Sequence, residues 1–480
     1  MMEMILTLRR QNRSGVDILR EKKFHMPTAY TILFLLLILV AAATWIIPAG
    51  SYDYVDGVPV AGTYHAVEQN PQGVGDVLKA AFSGFYDAVD VCIFILMVGG
   101  FLGVVMKTGA VDAGVANVIR LLGGREKWLI PILMLLFGLG GTTYGMWEET
   151  MAFYPLLIPV FLAAGYDAVV GISVILLGAG AGVIASTVNP FATGIAAGFA
   201  GVSLGEGIVL RLLEWVAFEA AAIWFVMAYA ARIKRNPSKS VVGVGAGKIQ
   251  VTMDQQVPFT AKRKVIMAFF TLTFLIMVYA VVPFDEMGLP LPTLGWWFPE
   301  LSALFLVAGV VIGLIDRMSE EELVETYVAG CADLLGVAFI IGISRGITVL
   351  MRDGAITDTI LHWGEAALSG AGAVSFTLLV FVLYLPLTIL IPSSSGLATL
   401  SIPIVAPLGK FAGVGGDLVV TAFQSASGLV NILTPTAAVV MGALALGHVP
   451  YDRWVKYVWK LMLWFLLLAL VFLVAGVLLG

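Results

Sequence analysis

The chain has 480 residues, of which 60% are apolar and only 12% charged, with a formal net charge of −5. A soluble domain carries about twice that share of charge. The mean hydropathy of +0.97 therefore excludes a water-soluble core protein, and the loop-borne acidic excess offers no nucleic-acid surface. Cys92 and Cys331 both lie in apolar stretches and give neither a disulfide framework nor a metal spacing. No motif for a cofactor is present.

Residues 1–27 hold Arg9, Arg10, Arg13, Arg20, Lys22 and Lys23. Lysine and arginine mark the cytoplasmic side, so this segment is read as a cytoplasmic N-terminus. Thr28 to Pro48 is uncharged over 21 residues, enough to cross the hydrocarbon. It is too long for a signal peptide and lacks a clean cleavage site, so it is a retained first span. Residues 49–78 carry Asp53, Asp56, Glu68 and Asp76 and are placed outside. A second span ends near Lys107, and the loop with Lys107, Arg120, Arg125 and Lys127 is inside. Trp128–Gly140 and Met151–Ala164 are each short for a span and read as a re-entrant hairpin. Asp167–Phe199 crosses outward with an interruption, and Gly207–Ala231 returns.

The stretch 232–264 holds eight basic residues against Asp254 alone and is the cytoplasmic linker between halves. Val265–Pro283 crosses out, 301–315 comes in and 331–351 goes out, with 316–325 as an inside loop. A second hairpin covers 371–412, an interrupted span covers 417–446, and a last span runs 457–479. The expected fold is all-α and polytopic, with about nine transmembrane helices and two re-entrant hairpins. Residues 28–231 form a first repeat with hairpin 1. Residues 265–480 form a linking span plus a second repeat with hairpin 2.

One offset of 245 residues relates the halves. Met106-Lys107-x-Gly109-Ala110-Val111 falls on Met351-Arg352-x-Gly354-Ala355-Ile356, Glu148-Glu149 on Ser393-Ser394, and Pro190 on Pro435. Loop charge places Lys107 inside and Arg352 outside, so the copies are expected to be inverted, as in secondary transporters whose site lies where the copies meet.

Four polar breaks interrupt the apolar spans: Gly140–Tyr144, Ser186–Pro190, Pro392–Gly396, and Gln424–Gly428 continuing through Asn431 to Thr434-Pro435. Broken backbone survives at membrane depth only where it lines a cavity. Half-helix N-termini there suit a carboxylate, and free carbonyls and hydroxyls suit Na⁺. The plainer reading is that Ser and Thr aid close helix packing. Glu148 and Glu149, beside Trp147 at the first hairpin tip, favour a cation if they lie at membrane depth and are ordinary if they lie at the interface. Arg345, within a span, holds a substrate carboxylate, pairs with Glu148 or Glu149, or snorkels. Glu214, Glu219, Asp87, Asp90 and Asp333 are read as interface or packing residues. The four histidines, at 25, 65, 362 and 448, form no pair, so an intramembrane enzyme has no support. Paired closed breaks favour alternating access over a channel.

The order of basic N-terminus, Gly-Ala-Val/Ile repeat, Trp147-Glu148-Glu149, Ser186-x-x-Asn189-Pro190 and Pro392-Ser393-Ser394-Ser395-Gly396 resembles the YfcC family. That family belongs with the DcuC-type C4-dicarboxylate carriers of the ion-transporter superfamily. The resemblance covers residues 24–480. It implies homodimers, an elevator-type movement and Na⁺ or H⁺ coupling. It places a first ion and substrate site on Thr142, Thr143, Ser186, Thr187 and Asn189. A second falls on Ser393, Ser394, Ser395, Ser425, Ser427, Asn431 and Thr434. Another dicarboxylate branch uses Ser-Asn-Thr at both hairpin tips, where this chain reads Gly-Thr-Thr and Ser-Ser-Ser.

The sequence thus points to a multi-pass carrier of the bacterial inner membrane. Its substrate is expected to be a small carboxylate-bearing metabolite, preferably a basic amino acid such as arginine or ornithine, with a C4-dicarboxylate as the alternative. The substrate set is Thr142, Thr143, Trp147, Glu148, Glu149, Asn189, Arg345, Ser393, Ser394, Ser395 and Asn431. The Na⁺ set is Thr142, Ser186, Thr187, Asn189, Ser395, Ser425, Ser427 and Thr434.

Overall fold

The computed structural model describes residues 29–479 apart from 57, 112, 115, 116, 118–124, 144, 204, 244–257, 282, 283 and 285–289. The N-terminal segment 1–27 lies outside the described residues. The described chain is mostly helical. Helices α1 (Ala29–Ala43), α2 (Val74–Asp87) and α3 (Val89–Lys107) come first. They are followed by α4 (Leu129–Thr143), a 3₁₀ turn over Glu148–Phe153, α5 (Tyr154–Ala163), α6 (Ala168–Ile184), a π-helical turn over Pro190–Gly194, α7 (Ile195–Ala200) and α8 (Ile208–Arg235). The second half has α9 (Ala261–Val281), α10 (Phe298–Asp316), α11 (Glu320–Asp353), α12 (Thr357–Leu368), α13 (Ala373–Leu390), α14 (Ser394–Phe411), α15 (Gly416–Asn431), α16 (Ala438–Leu446) and α17 (Tyr451–Leu479). Among the described residues five helices, α3, α10, α11, α13 and α17, are long and apolar enough to cross a membrane.

Local signals set the ends of these helices. Asp167 caps α6 by accepting from Val170 N, and Ser319 caps α11 by accepting from Glu322 N. Glu320, Glu321 and Glu322 in the first turn of α11, and Arg232, Lys234 and Arg235 in the last turn of α8, complement the helix dipoles. Every residue of α6, and every residue of α15 but Asp417, is buried, so these two helices form the centre. Large apolar side chains such as Leu39, Trp224, Trp464 and Val471 stand exposed on the periphery, where lipid rather than water meets them.

The 245-residue offset carries helix onto helix. Residues of α4 fall within α13, the 3₁₀ turn and α5 fall on α14, α6 on α15, α7 on α16, and α8 on α17. The pair α2–α3 falls on the single 34-residue α11. Three of these matched pairs also pack against each other. Cys92 Sγ donates to Ala338 O, Gly99 abuts Gly330, and Gly103 abuts Thr326, so α3 and α11 run antiparallel. Gly428 lies against Ile184 and Gly180 against Ile432, so α6 and α15 also run antiparallel. Rings of Phe218 and Phe465 meet at 4.8 Å, and those of Phe225 and Tyr457 at 4.9 Å, which makes α8 and α17 antiparallel too. In each pair one contact, Cys92 with Ala338, Ile184 with Gly428 and Phe218 with Phe465, falls within two residues of the offset position.

Several expectations are corrected. The segment 316–325 is not a loop: a turn at Arg317 and Met318 leads directly to the Ser319 cap, and α11 starts at Glu320. Three glutamates suit a helix N-terminus, which loop-charge reasoning overlooks. The second span is divided at Ala88. Gln424 to Gly428 is continuous helix, and the interruption is at 432–437. Helix α8 persists to Arg235 and α9 begins at Ala261, shortening the polar stretch expected over 232–264. The 49–78 loop holds two antiparallel ribbons, pairing Gly50 with Ala66 and Tyr54 with Pro59. Helix α12 was not anticipated. It anchors this loop: Asp358 accepts from Tyr52 N at 3.0 Å and from Tyr54 OH, and Tyr52 OH donates to Glu365 at 2.8 Å. Burial first, then these carboxylates, hold both phenols above their usual range.

Candidate functional site

The break after α6 is held by the end of α4. Thr142 Oγ1 donates to Ala185 O at 2.8 Å, while Thr187 N and Thr187 Oγ1 donate to Thr142 O at 2.8 and 2.9 Å. These bonds satisfy backbone that an unbroken helix would have satisfied itself. Helices α4 and α6 approach closely because both present glycine: a Cβ on Gly182 would lie 2.2 Å from Gly138 O. Asn189 O accepts from Gly194 N at 2.7 Å, which sets the π turn, a feature common at functional sites. Gly145, at φ +78°, sits where a side chain would strike the Asn189 amide.

The break after α15 is served in the same way. Trp454 Nε1 donates to Ile432 O at 3.2 Å and Tyr451 OH to Leu433 O at 2.8 Å. Ser344 Oγ donates to Thr436 O at 2.7 Å, tying the break to α11. At the tip between α13 and α14, Ser393 caps α14 by accepting from Gly396 N. Ser394 and Ser395 form its first turn.

Between these breaks lies a cavity of about 150 Å³. It brings together Trp147, Glu148, Glu149, Asn189, Arg345, Ser393, Ser394, Ser395 and Asn431, residues that the sequence placed in the substrate set. Thr142 and Thr143 are not in its lining; Thr142 braces the break and Thr143 Oγ1 donates to Leu139 O at 2.6 Å. Arg345 is half-buried within α11, and its guanidinium has no ion pair within 4 Å and no hydrogen bond among the described residues. Glu148 likewise has no ion pair within 4 Å among the described residues, accepts from its own backbone N–H, and lies close enough to Arg345 for electrostatic interaction. Glu149 is 5% exposed and accepts from Trp147 N at 3.1 Å. The lining thus presents one cation, two carboxylates and a half-helix N-terminus.

The residues of the Na⁺ set are spread more widely. Asn189 and Ser395 line the cavity. Thr142 and Thr187 bond each other, and Thr434 shares a hydrogen bond with Thr436 at 2.8 Å. Ser186 and Ser427 are buried with hydroxyls that have no hydrogen-bond partner. Ser425 donates to Glu214 Oε1 at 2.8 Å, which puts it in the contact between α15 and α8. Among the described residues no three acidic, His or Cys side chains cluster as a metal site.

Sequence reasoning missed Trp297, Phe298 and Ser344, which also line the cavity. Ser344 was signalled by its neighbour Arg345. Nothing local marks the Trp297-Phe298 ring pair at the start of α10. Glu214 and Glu219, read as interface or packing residues, are 0% and 2% exposed. Glu214 Oε2 and both Glu219 oxygens have no hydrogen-bond partner, and Gly138 leaves the space that Glu219 occupies.

A polar, charged cavity enclosed by apolar helices with broken backbone defines a membrane carrier, not an enzyme. The chain belongs to the DcuC family, described as C4-dicarboxylate anaerobic carrier, which it matches over residues 26–478. It is 35% identical to an uncharacterized protein of Haemophilus influenzae, over 95% of this chain and 98% of that one. It is 30% identical to the "putative basic amino acid antiporter YfcC" of Escherichia coli, over 91% and 93%, so the resemblance drawn from motif order holds. The solved YdaH transporter of Alcanivorax borkumensis overlies 93% of this chain and 98% of its own at 15% identity, TM-score 0.43. MtrF of Neisseria gonorrhoeae overlies 93% and 94% at 16% identity, TM-score 0.41.

Proposed function

We propose that this protein is a secondary active transporter of amino acids that carry an extra positive charge, arginine or ornithine in kind. The observation that carries the reading is the cavity's charge pattern: Arg345 and Glu148 face one space, neither ion-paired, with Glu149 beside them. A substrate carboxylate meets Arg345 and the α14 N-terminus. Its ammonium groups meet Glu148 and Glu149. A dianion would meet two carboxylates against one guanidinium, which disfavours the C4-dicarboxylate reading. The name given to the Escherichia coli relative agrees with this, and the family's description favours the dicarboxylate.

The architecture we infer is about nine spans with two re-entrant hairpins, α4–α5 and α13–α14, in inverted repeats over 28–231 and 265–480. Antiparallel packing of three offset-related helix pairs supports the inversion. The two breaks meeting at one cavity support alternating access, which we assign to an elevator-type movement in a homodimer of the inner membrane, coupled to Na⁺, to H⁺ or to exchange. The basic segment 1–27 then lies in the cytoplasm. Uptake into liposomes of labelled arginine, ornithine and succinate tests the reading. Arginine or ornithine entering while succinate does not is the expected result. Uptake of succinate alone refutes it.

A further inference from the structure

A second cavity, of about 560 Å³, lies between α8 and α17, well away in sequence from the hairpin tips. The two helices run antiparallel here, so the C-terminal end of α8 meets the N-terminal end of α17. Arg232 from α8 and Lys239 from the turn after it mark one end of the cavity and Trp464 the other. Lys456 and Lys460 from α17 line it between them, Lys460 near the level of Trp224 by the Phe225–Tyr457 contact, and their long stems let the ammonium groups reach back toward the other bases. By helix rise, Trp224 lies about 12 Å from Arg232 along α8, and Trp464 about 6 Å from Lys460 along α17. The groove therefore carries its bases from the mouth to the level of Trp224, with tryptophan beside and below them.

Its mouth is a built feature. Tyr229 OH donates to Asp167 at 2.6 Å and accepts from Val241 N at 3.1 Å. Arg453 Nη1 donates to Val241 O at 3.3 Å. These bonds fold the segment after α8 back over the helix ends and place Lys239 with the other bases. The acids nearby are accounted for. Asp167 is engaged by Tyr229 and Ser240, and Asp452 makes long, exposed pairs with Arg453 and Lys456 at 3.7 and 3.8 Å, which are worth little. Among the described residues Arg232, Lys239 and Lys460 have no carboxylate within 4 Å.

We propose that this groove binds one anionic phospholipid, its phosphate among Arg232, Lys239, Lys456 and Lys460 and its acyl chains along Trp224 and Trp464. Basic pockets between transmembrane helices suit acidic headgroups, and tryptophan suits the level just below them. A second copy of the chain is a poorer occupant, because a two-fold contact would set these bases against themselves.

The test uses purified full-length protein in a neutral detergent, titrated with short-chain phosphatidylglycerol or phosphatidylcholine and read by native mass spectrometry. Phosphatidylglycerol is expected to bind at least tenfold more tightly. The double variant Arg232→Gln, Lys460→Gln is expected to weaken it about 30-fold, at roughly fivefold per charge, with phosphatidylcholine unchanged. Arg232→Lys is expected to retain binding, so a loss in the double variant with an unchanged elution profile reports charge rather than misfolding. Equal affinity for the two lipids overturns the proposal, as does undiminished binding by the double variant. Displacement of the lipid by equimolar glycerol 3-phosphate would mark a free-phosphate site and also overturns it. So does Trp464→Ala converting a dimer to monomers, which would make this face a subunit interface.

Discussion

Arg345→Gln separates a binding arginine from a structural one. Among the described residues Arg345 faces the cavity without an ion pair or hydrogen bond to its guanidinium. A charge-assisted hydrogen bond to substrate contributes about 1.5–3 kcal/mol. At about 1.4 kcal/mol per decade this corresponds to roughly 10- to 150-fold weaker substrate binding. The ligand-free protein loses no direct ion pair, only the longer-range attraction between Arg345 and Glu148, so its stability should shift by about 1 kcal/mol or less. A buried structural pair behaves in the opposite way: deleting one partner costs about 3–5 kcal/mol. The assay is thermal unfolding of detergent-purified protein with and without arginine, together with counterflow in liposomes. A variant that binds arginine normally refutes the reasoning. So does one whose ligand-free unfolding temperature collapses.

Three further outcomes are expected. Glu149→Gln should narrow the preference for arginine over a neutral amino acid in competition uptake, and an unchanged preference would remove Glu149 from the cationic end. Gly182→Ala places a methyl 2.2 Å from Gly138 O and 2.7 Å from Thr142 N, backbone that cannot step aside. This overpacking should cost about 1–3 kcal/mol and lower the unfolding temperature, and an unaffected protein would contradict the α4–α6 contact. Asp358→Ala strips the acceptor from buried Tyr52 N and from Tyr54 OH, at about 1–3 kcal/mol for the orphaned donor. Limited proteolysis should then cut within 50–66, where the parent protein resists.

The sequence by itself determined the membrane environment, most helix positions, the offset of 245 residues and the breaks that begin at Ser186 and Pro392, whereas Gly140–Thr143, expected as a break, stays helical at the end of α4. The reason is local. In lipid each segment satisfies its own backbone, so composition and a few polar residues mark spans and interruptions directly. The fourth break shows the limit. Gln424, Ser425 and Ser427 look like a polar interruption, yet α15 carries on through them because tertiary partners accept the polar side chains: Gln424 Nε2 donates to Val183 O at 2.7 Å and Ser425 to Glu214. Only the tertiary structure decided that Glu148, Arg345 and the Ser393 cap share one cavity with Trp297 and Phe298, while Thr142 serves as a brace. Those meetings join segments up to 245 residues apart, from Glu148 to Ser393. They depend on which helices cross, and neither hydrophobic periodicity nor charge counting along the chain encodes that.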